Sequence, residues 1–274
     1  MDISSAHQRL RQELQKPDDQ VDLAIAALAI AQSAHPQLQF EPYLTQLDDM
    51  AAAIAPQLPT ERYPLRVLKT INQHLFETMG FRGNQKAYYD PANSYFNHVL
   101  DRRLGIPITL SLVYLEVAKR LNFPMVGINF PGHFLIRPLV NEMSVFVDGF
   151  HQGEILFKAD CQTRLQQIYG AGATLQPQHL TMVTPQDFLA RMLTNLKMIF
   201  LNQQNPAAAL TIVDLLLVVA PDNMREKRDR GLLYFQQGQF LAAFDDLNAY
   251  LSAVPEAKDA AQISQLLRRI SSEA

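Results

Sequence analysis

The stretch from Gly105 to Asp148 holds the residues most able to do chemistry together. It reads as a helix that begins at Gly105–Pro107, followed by two strands. The first strand carries His133 and the second ends at Asp148. A β-hairpin places such residues at the same end of a sheet, where a carboxylate can orient an imidazole as the acid of a catalytic triad does. The spacing therefore predicts a contact between His133 and Asp148.

A triad also needs a nucleophile, and the predicted helix offers only hydroxyl groups. Thr109 and Ser111 lie in its first turns, where a hydroxyl beside a histidine could be activated. Small polar residues at such positions more commonly pack a helix against its neighbours. Cys161 follows the aspartate in the chain, and a lone cysteine is usually a small buried apolar residue. The sequence therefore favours packing roles for all three.

Other polar residues around the predicted site have weaker signals. Gly132 precedes His133 and permits a close backbone approach, so we expect it beside a bound ligand. Asn93 is expected at a helix cap or on the wall of the cleft. His98 is expected near the site and is counted among its binding residues.

The same stretch also contains side chains that could bind a metal ion. His98 and His151, together with His133 and Asp148, offer suitable ligand atoms, but their spacing matches no known metal motif. The sequence contains no phosphate-binding loop, dinucleotide fingerprint or serine elbow. We therefore predict that the protein uses no metal and no other cofactor.

Helices and a small sheet must position these residues. Residues 2–80 have helical periodicity interrupted by prolines. Strands are predicted at 125–130, 133–137 and 145–148, with a turn at Asn141–Glu142 between the last two. A short strand and a helix follow over 154–169.

A helical repeat begins near Pro185. Pro221 and Pro255 lie 34 residues apart, which is the tetratricopeptide period. In the second repeat, five positions have the small, aromatic and large residues that this period requires: Gly231, Tyr234, Gly238, Ala243 and Leu247. The first repeat departs from the pattern at Lys197, which replaces a small residue. Two repeats are too few to stand alone, so we expect them to pack on the preceding domain.

The composition excludes several classes of protein. The net charge is −3 and the isoelectric point is about 6.2, so there is no basic footprint for nucleic acid. The apolar runs are shorter than a membrane span, and the N-terminus has no signal-peptide pattern. A single cysteine excludes an internal disulfide and a cysteine-rich zinc site. We therefore expect a cytoplasmic protein that binds neither membrane nor nucleic acid.

The motifs GIP, PGHF and VD, taken together, resemble the transglutaminase-like core over residues 93–153. Over roughly 40–274 the chain resembles a bacterial family, the SirB-type proteins described as regulators of invasion genes, which joins such a core to tetratricopeptide repeats. The resemblance implies an α+β, mostly helical fold: a papain-like core with a helix on an antiparallel sheet, N-terminal helices and a C-terminal repeat module. The expected regions are 1–82 (helices), 83–170 (core), 171–186 (linker) and 187–274 (repeats with a cap helix).

In active relatives of this core, the resemblance implies that a cysteine nucleophile begins the central helix. Pro107 occupies that position here, whereas His133 and Asp148 match the family's histidine and aspartate. The expected function is therefore non-catalytic binding or regulation, with a protein or peptide held by the cleft and by a repeat surface that includes Tyr234. The alternative is a residual hydrolase or acyltransferase that uses Ser111 or Thr109 with His133 and Asp148.

Overall fold

A computed structural model of the chain describes residues 3–140 and 144–273. The fold is α+β and mostly helical, as the sequence predicted. Within the described residues, the α-helices are α1 (Ile3–Leu14), α2 (Leu23–Gln32), α3 (Glu41–Ile54), α4 (Pro64–Asn72), α5 (Phe96–Arg102), α6 (Pro107–Arg120), α7 (Lys158–Tyr169), α8 (Pro185–Asn202), α9 (Pro206–Val219), α10 (Met224–Gln236), α11 (Phe240–Ala253) and α12 (Ala260–Glu273).

Helix α6 is the centre of the core. Every residue from Pro107 to Ala118 is buried, and a helix that is apolar on nearly all sides is stable only inside a larger core. Pro107 is its first residue, where the missing N–H costs no hydrogen bond. The buried Tyr114 hydroxyl donates a 3.3 Å hydrogen bond to the carbonyl of Leu68 on α4. A buried hydrogen bond therefore joins α6 to α4.

The main sheet has four antiparallel strands, which lie side by side in chain order: β3 (Met125–Ile128), β4 (Leu135–Pro138), β5 (Phe146–Asp148) and β6 (Glu154–Leu156). Helix α6 packs against β3 and β4, which gives the expected helix-on-sheet core. Two further strands, β1 (Arg82–Gly83) and β2 (Leu104–Gly105), form a short parallel pair. The turn predicted at Asn141–Glu142 lies outside the described residues.

Helices α8 to α12 form the repeat module. Gly231 lies where α10 meets α11, and a Cβ atom at this position would be 2.7 Å from Cγ of Leu247. The unexpected Lys197 is buried, and its Nζ lies 2.7 Å from Glu226 and 2.5 Å from Asp229, both on α10. An ion pair between repeats thus replaces the small-residue contact that the period predicts.

The repeats do not stand apart from the rest of the chain. Helix α1 packs against α9, and α2 packs against α8. The apolar residues of these helices join the same buried cluster as the core around α6. This arrangement supplies the neighbouring surface that two repeats lack by themselves. None of the helices in the described ranges is long and apolar enough to cross a membrane.

Candidate functional site

His133 lies in the turn between β3 and β4 rather than on the strand, which differs from the sequence expectation. The turn closes when the His133 N–H donates a 3.0 Å bond to the carbonyl of Phe130, and β4 begins two residues later at Leu135. Gly132 has a φ of +67°, a conformation that side chains disfavour. The turn therefore projects the imidazole from the end of the sheet.

Gly132 also allows α7 to pack closely on this turn. A Cβ atom at position 132 would lie 2.8 Å from Cγ2 of Ile168 and 3.1 Å from the hydroxyl oxygen of Tyr169. The neighbours of Gly132 in the structure are thus side chains of α7. The close approach that the sequence predicted at Gly132 is therefore made by side chains of α7.

Asp148 is the last residue of β5, and its side chain is fully buried. Its Oδ1 accepts hydrogen bonds from the backbone N–H groups of Phe150 (3.0 Å) and His151 (3.3 Å). These bonds cap the 3₁₀ turn Gly149–His151 that follows the strand. One carboxylate oxygen is therefore used to hold the local backbone.

The other oxygen of Asp148, Oδ2, is the meeting point of three side chains. Nε2 of His133 lies 2.8 Å away, Nδ1 of His151 lies 2.8 Å away, and Nη1 of Arg164 on α7 lies 3.0 Å away. The structure thus brings His133 and Asp148 together. Because Nε2 of His133 faces the carboxylate, its Nδ1 is the nitrogen left for a ligand; among the described residues it has no hydrogen-bond partner.

The charge state of Asp148 follows from these contacts. Burial alone would raise the pKa of this carboxyl group, because desolvation disfavours its charged form. Hydrogen bonds from His133 and His151, and the charge of these two rings, outweigh burial and hold the pKa well below its ordinary value. Asp148 is therefore an anion at neutral pH and can orient the His133 ring as a triad acid does.

Arg164 is the site residue that sequence reasoning missed. Its guanidinium also contacts the carboxylate of Glu154 at 2.6 Å and lies 2.7 Å from Nδ1 of His151. That nitrogen of His151 can either donate to Asp148 or accept from Arg164, according to its tautomer. The only signal in the sequence was an arginine in the helix that follows Asp148, and this position alone does not identify the partner of the arginine.

The ligand atoms of His133, Asp148 and His151 lie within 4.8 Å of one another, which is close enough for a metal ion. The guanidinium of Arg164, however, contacts both Oδ2 of Asp148 and Nδ1 of His151. A fixed cation in this position repels a second one and uses the same lone pairs. The donor set therefore favours an arginine-neutralised carboxylate over a metal centre.

Thr109, one of the two candidate nucleophiles, is committed to the start of α6. Its Oγ1 accepts a 3.0 Å hydrogen bond from the N–H of Ile106 and donates a 2.7 Å bond to the carbonyl of Asn93. The side chain is fully buried. Thr109 thus caps the helix and ties it to the preceding loop.

Ser111, the second candidate nucleophile, is also fully buried. Its Oγ has no hydrogen-bond partner among the described residues. The turn after Asp148 packs directly on this part of α6, since a Cβ atom at Gly149 would lie 3.4 Å from the backbone nitrogen of Ser111. A free hydroxyl is therefore present near the end of the sheet, but it is closed off from solvent.

Aromatic side chains form one wall beside His133. The Phe150 ring lies edge-to-face with the His133 ring at 6.1 Å between centroids, and Tyr88 lies 5.9 Å from Phe150. Tyr89, which is largely exposed, contacts Tyr88. These rings give the surface next to the imidazole an apolar and aromatic character, which suits contact with side chains of another protein.

Asn93 lies near the start of α6 without capping a helix. The N-cap position of α5 is Tyr95, immediately before Phe96, so the expected cap at Asn93 is wrong. The Asn93 amide is fully buried and donates to the carbonyls of Ala87 (2.6 Å) and Tyr88 (3.2 Å). It also accepts from Asn84 at 3.0 Å. Asn93 therefore holds the loop that presents Tyr88.

The structure does not bring His98 and Tyr234 to this site. Nε2 of His98 lies 2.8 Å from Nε2 of His35, which lies three residues after the end of α2. Tyr234 lies on α10 in the repeat module, half-buried beneath the guanidinium of Arg230, which is 5.7 Å from the ring centroid. The predicted binding residues thus belong to separate surfaces.

Cys161 lies on α7 and is fully buried. Burial, together with the negative charges of Asp160 and Asp148, raises the pKa of its thiol to about 12 even though Arg164 acts in the opposite direction. The thiolate is the reactive form. We therefore expect no reaction with Ellman's reagent at pH 8 in the folded protein and full reaction in guanidinium chloride. A rapid reaction in the folded state would contradict this assignment.

Comparisons with known proteins agree with this architecture. Residues 41–194 match the family model described as transglutaminase-like superfamily, and residues 196–268 match a tetratricopeptide-repeat model. The chain therefore belongs to the transglutaminase-like superfamily and carries C-terminal tetratricopeptide repeats.

Its relatives include bacterial and animal proteins. The UPF0162 protein of Xylella fastidiosa (strain Temecula1) is 32% identical over 260 residues, which cover 93% of this chain and 92% of that protein. The UPF0162 protein of Vibrio cholerae is 31% identical over 86% of this chain and 88% of its own length. Mouse F-box only protein 21 is 29% identical over 80% of this chain but only 34% of its own length. No solved structure matches significantly.

Proposed function

We propose that this protein is a non-catalytic, regulatory interaction module that holds a protein or peptide partner. The observation that carries the proposal is the start of α6, where Pro107 stands and where the nearest hydroxyls, those of Thr109 and Ser111, are fully buried. A nucleophilic hydroxyl must lie within hydrogen-bond distance of its general base, and it must also be open to the substrate. In this proposal the site therefore keeps Asp148 and His133 but has no accessible nucleophile.

In this proposal, two surfaces of the protein contact the partner. One is the aromatic wall of Phe150 and Tyr88 beside His133. The other is the repeat module, whose period is typical of protein-binding solenoids. The relationship to mouse F-box only protein 21 is consistent with this proposal, because a similar segment occurs there within a longer protein. The compartment in this proposal is the cytoplasm, and a chain with one cysteine, which cannot form an internal disulfide, is compatible with it.

The proposal predicts no His133-dependent turnover. The wild-type protein and His133→Ala are compared on fluorogenic esters and amides and in an amine-incorporation assay, with circular dichroism to confirm that both are folded. We expect neither protein to form more product than buffer alone. In parallel, Tyr234→Ala is expected to lose partner proteins that the wild type retains from native lysate. Amide hydrolysis that disappears in His133→Ala would overturn the proposal.

A second candidate function is a hydrolase that uses Ser111. It is favoured by one observation, the Ser111 hydroxyl that lacks a hydrogen-bond partner within the described ranges. It requires α6 to expose this hydroxyl to the substrate. A fluorophosphonate probe separates the two functions, because covalent labelling of Ser111 in the wild type and none in Ser111→Ala would support the hydrolase.

A further inference from the structure

A groove of about 870 Å³ lies at the opposite end of α6 from Pro107. It is bounded by the loop before α2, by the last turns of α6, by the edge of β3 and by the segment that leads into α8. Its lining is mainly apolar and includes Leu115, Phe123, Met125, Leu139, Met182 and Phe188. Met182 and Leu139 are 61% and 47% exposed, and with the rest of the lining they form a contiguous apolar surface of the kind that marks interaction sites.

One wall of the groove is the edge of β3, which the chain itself covers at one end, where Ile128 forms an antiparallel bridge with Met182. On the side of β3 that faces away from β4, the Gly127 carbonyl accepts a 3.0 Å bond from the Val183 N–H. Met125, two residues earlier, points its N–H and C=O to the same side, because backbone groups alternate along an antiparallel strand. In the described part of the chain, these groups of Met125 have no hydrogen-bond partner.

The rim of the groove is acidic. Asp18 and Asp19 line it, both are exposed, and neither carboxylate has an ion-pair or hydrogen-bond partner within residues 3–140 and 144–273. The other charged groups of the lining are already paired: Lys119 with Asp22 at 3.8 Å, and Glu116 with Arg120 at 2.6 Å. The uncompensated charge at the rim is therefore negative.

We infer that this groove binds a short extended segment of a partner protein that has apolar side chains and a neighbouring lysine or arginine. The segment adds to the β3 edge at Met125, inserts its apolar side chains between Leu115 and Met182, and places its cation at Asp18 and Asp19. Strand addition derives affinity from main-chain hydrogen bonds and specificity from pockets for alternate side chains. The groove is separate from the His133 site and does not depend on it.

The test uses a phage-displayed library of random octapeptides, with the full-length protein as bait. We expect the wild type to enrich peptides in which apolar residues alternate and a lysine or arginine lies close by. Met182→Arg places a bulky cation in the groove and is expected to abolish this enrichment. Leu241→Arg, which changes a still more exposed apolar residue on α11 (78% against 61% for Met182), is the control and is expected to leave it intact.

Synthetic versions of the enriched peptides test two contacts separately: the charge contact with the acidic rim and the main-chain pairing with β3. The double variant Asp18→Asn, Asp19→Asn is expected to weaken binding by roughly threefold to tenfold at low salt, as expected for two exposed charge pairs. N-methylation of the peptide's central amides is expected to weaken it further by removing the strand pairing.

Three results would overturn the inference. The first is a library that enriches nothing on the wild type. The second is a set of enriched peptides that do not use the groove as inferred. Such peptides would bind Met182→Arg as tightly as the wild type, or their affinity would change neither in the Asp18→Asn, Asp19→Asn variant nor on N-methylation. The third is a wild-type dimer that Met182→Arg converts to a monomer in sedimentation velocity, which would assign the groove to a second copy of this chain.

Discussion

Replacing Asp148 with asparagine is expected to lower the free energy of unfolding by about 3–5 kcal/mol, because removing one partner of a buried ion pair leaves charges uncompensated. The fully buried carboxylate accepts from His133, His151 and Arg164, and it also caps the following turn. Asparagine keeps the shape but loses the charge. Urea denaturation of the two proteins at neutral pH measures the difference.

Glu154→Gln is the matched control for this variant. Its carboxylate contacts the same guanidinium at 2.6 Å but is about half exposed, so its loss is expected to cost at most about 1 kcal/mol. Equal losses in the two variants would show that Asp148 is not the electrostatic centre of the site.

The low pKa of Asp148 also gives the expected effect a pH dependence. A carboxyl group whose folded pKa lies below its unfolded value contributes stability that is fully present above the unfolded pKa, and loses it as the pH falls towards the folded value. The difference in stability between wild type and Asp148→Asn is therefore expected to be constant near neutrality and to shrink below about pH 4, the ordinary range for aspartate. A difference that grows in acid would contradict this linkage.

Gly153→Ala is the second substitution expected to have a large effect. Gly153 closes the turn that carries His151, through a 2.9 Å bond from its N–H to the carbonyl of Asp148. Its φ is +76°, and a Cβ atom there would lie 2.3 Å from Oδ1 of Asn72, whose Nδ2 donates to the Gly153 carbonyl. The left-handed backbone costs about 1–2 kcal/mol and overpacking about 1–3 kcal/mol more.

Gly80→Ala separates these two contributions. Gly80 has the same φ of +76°, but no atom lies within 4 Å of the position of its Cβ. We therefore expect it to show the backbone cost alone, about 1–2 kcal/mol in urea denaturation. Adding Asn72→Ala to Gly153→Ala is expected to recover part of the excess. Equal effects at the two glycines would mean that Asn72 moves away without cost.

Local signals in the sequence were sufficient for the main helices of this fold, but not for the short parallel pair β1 and β2 or for the turn at His133. The apolar residues from Leu110 to Leu121 predicted a buried helix, and Pro107 predicted where it begins. The proline spacing in the last third predicted the repeat helices. Such features depend on periodicity and on the backbone restrictions of single residues, both of which operate over a few neighbouring positions.

Contacts between distant parts of the chain could not be derived in the same way. Lys197 was recognised as a departure from the repeat, but its partners Glu226 and Asp229 are about 30 residues away and are found only when α8 and α10 pack. His98 was expected near His133 and instead meets His35, because α5 packs against α2 and His35 follows the end of α2. Packing direction, rather than proximity in the chain, decides such pairs.

The sequence by itself determined which residues are available for chemistry: a histidine and an aspartate at hairpin spacing, and a proline at the start of the central helix. The tertiary structure alone decided that Arg164 completes the charge balance at Asp148, that Thr109 and Ser111 are sealed from solvent, and that a groove opens beside Met125. Residue type is a local property, whereas burial and charge compensation depend on every element that packs around a side chain.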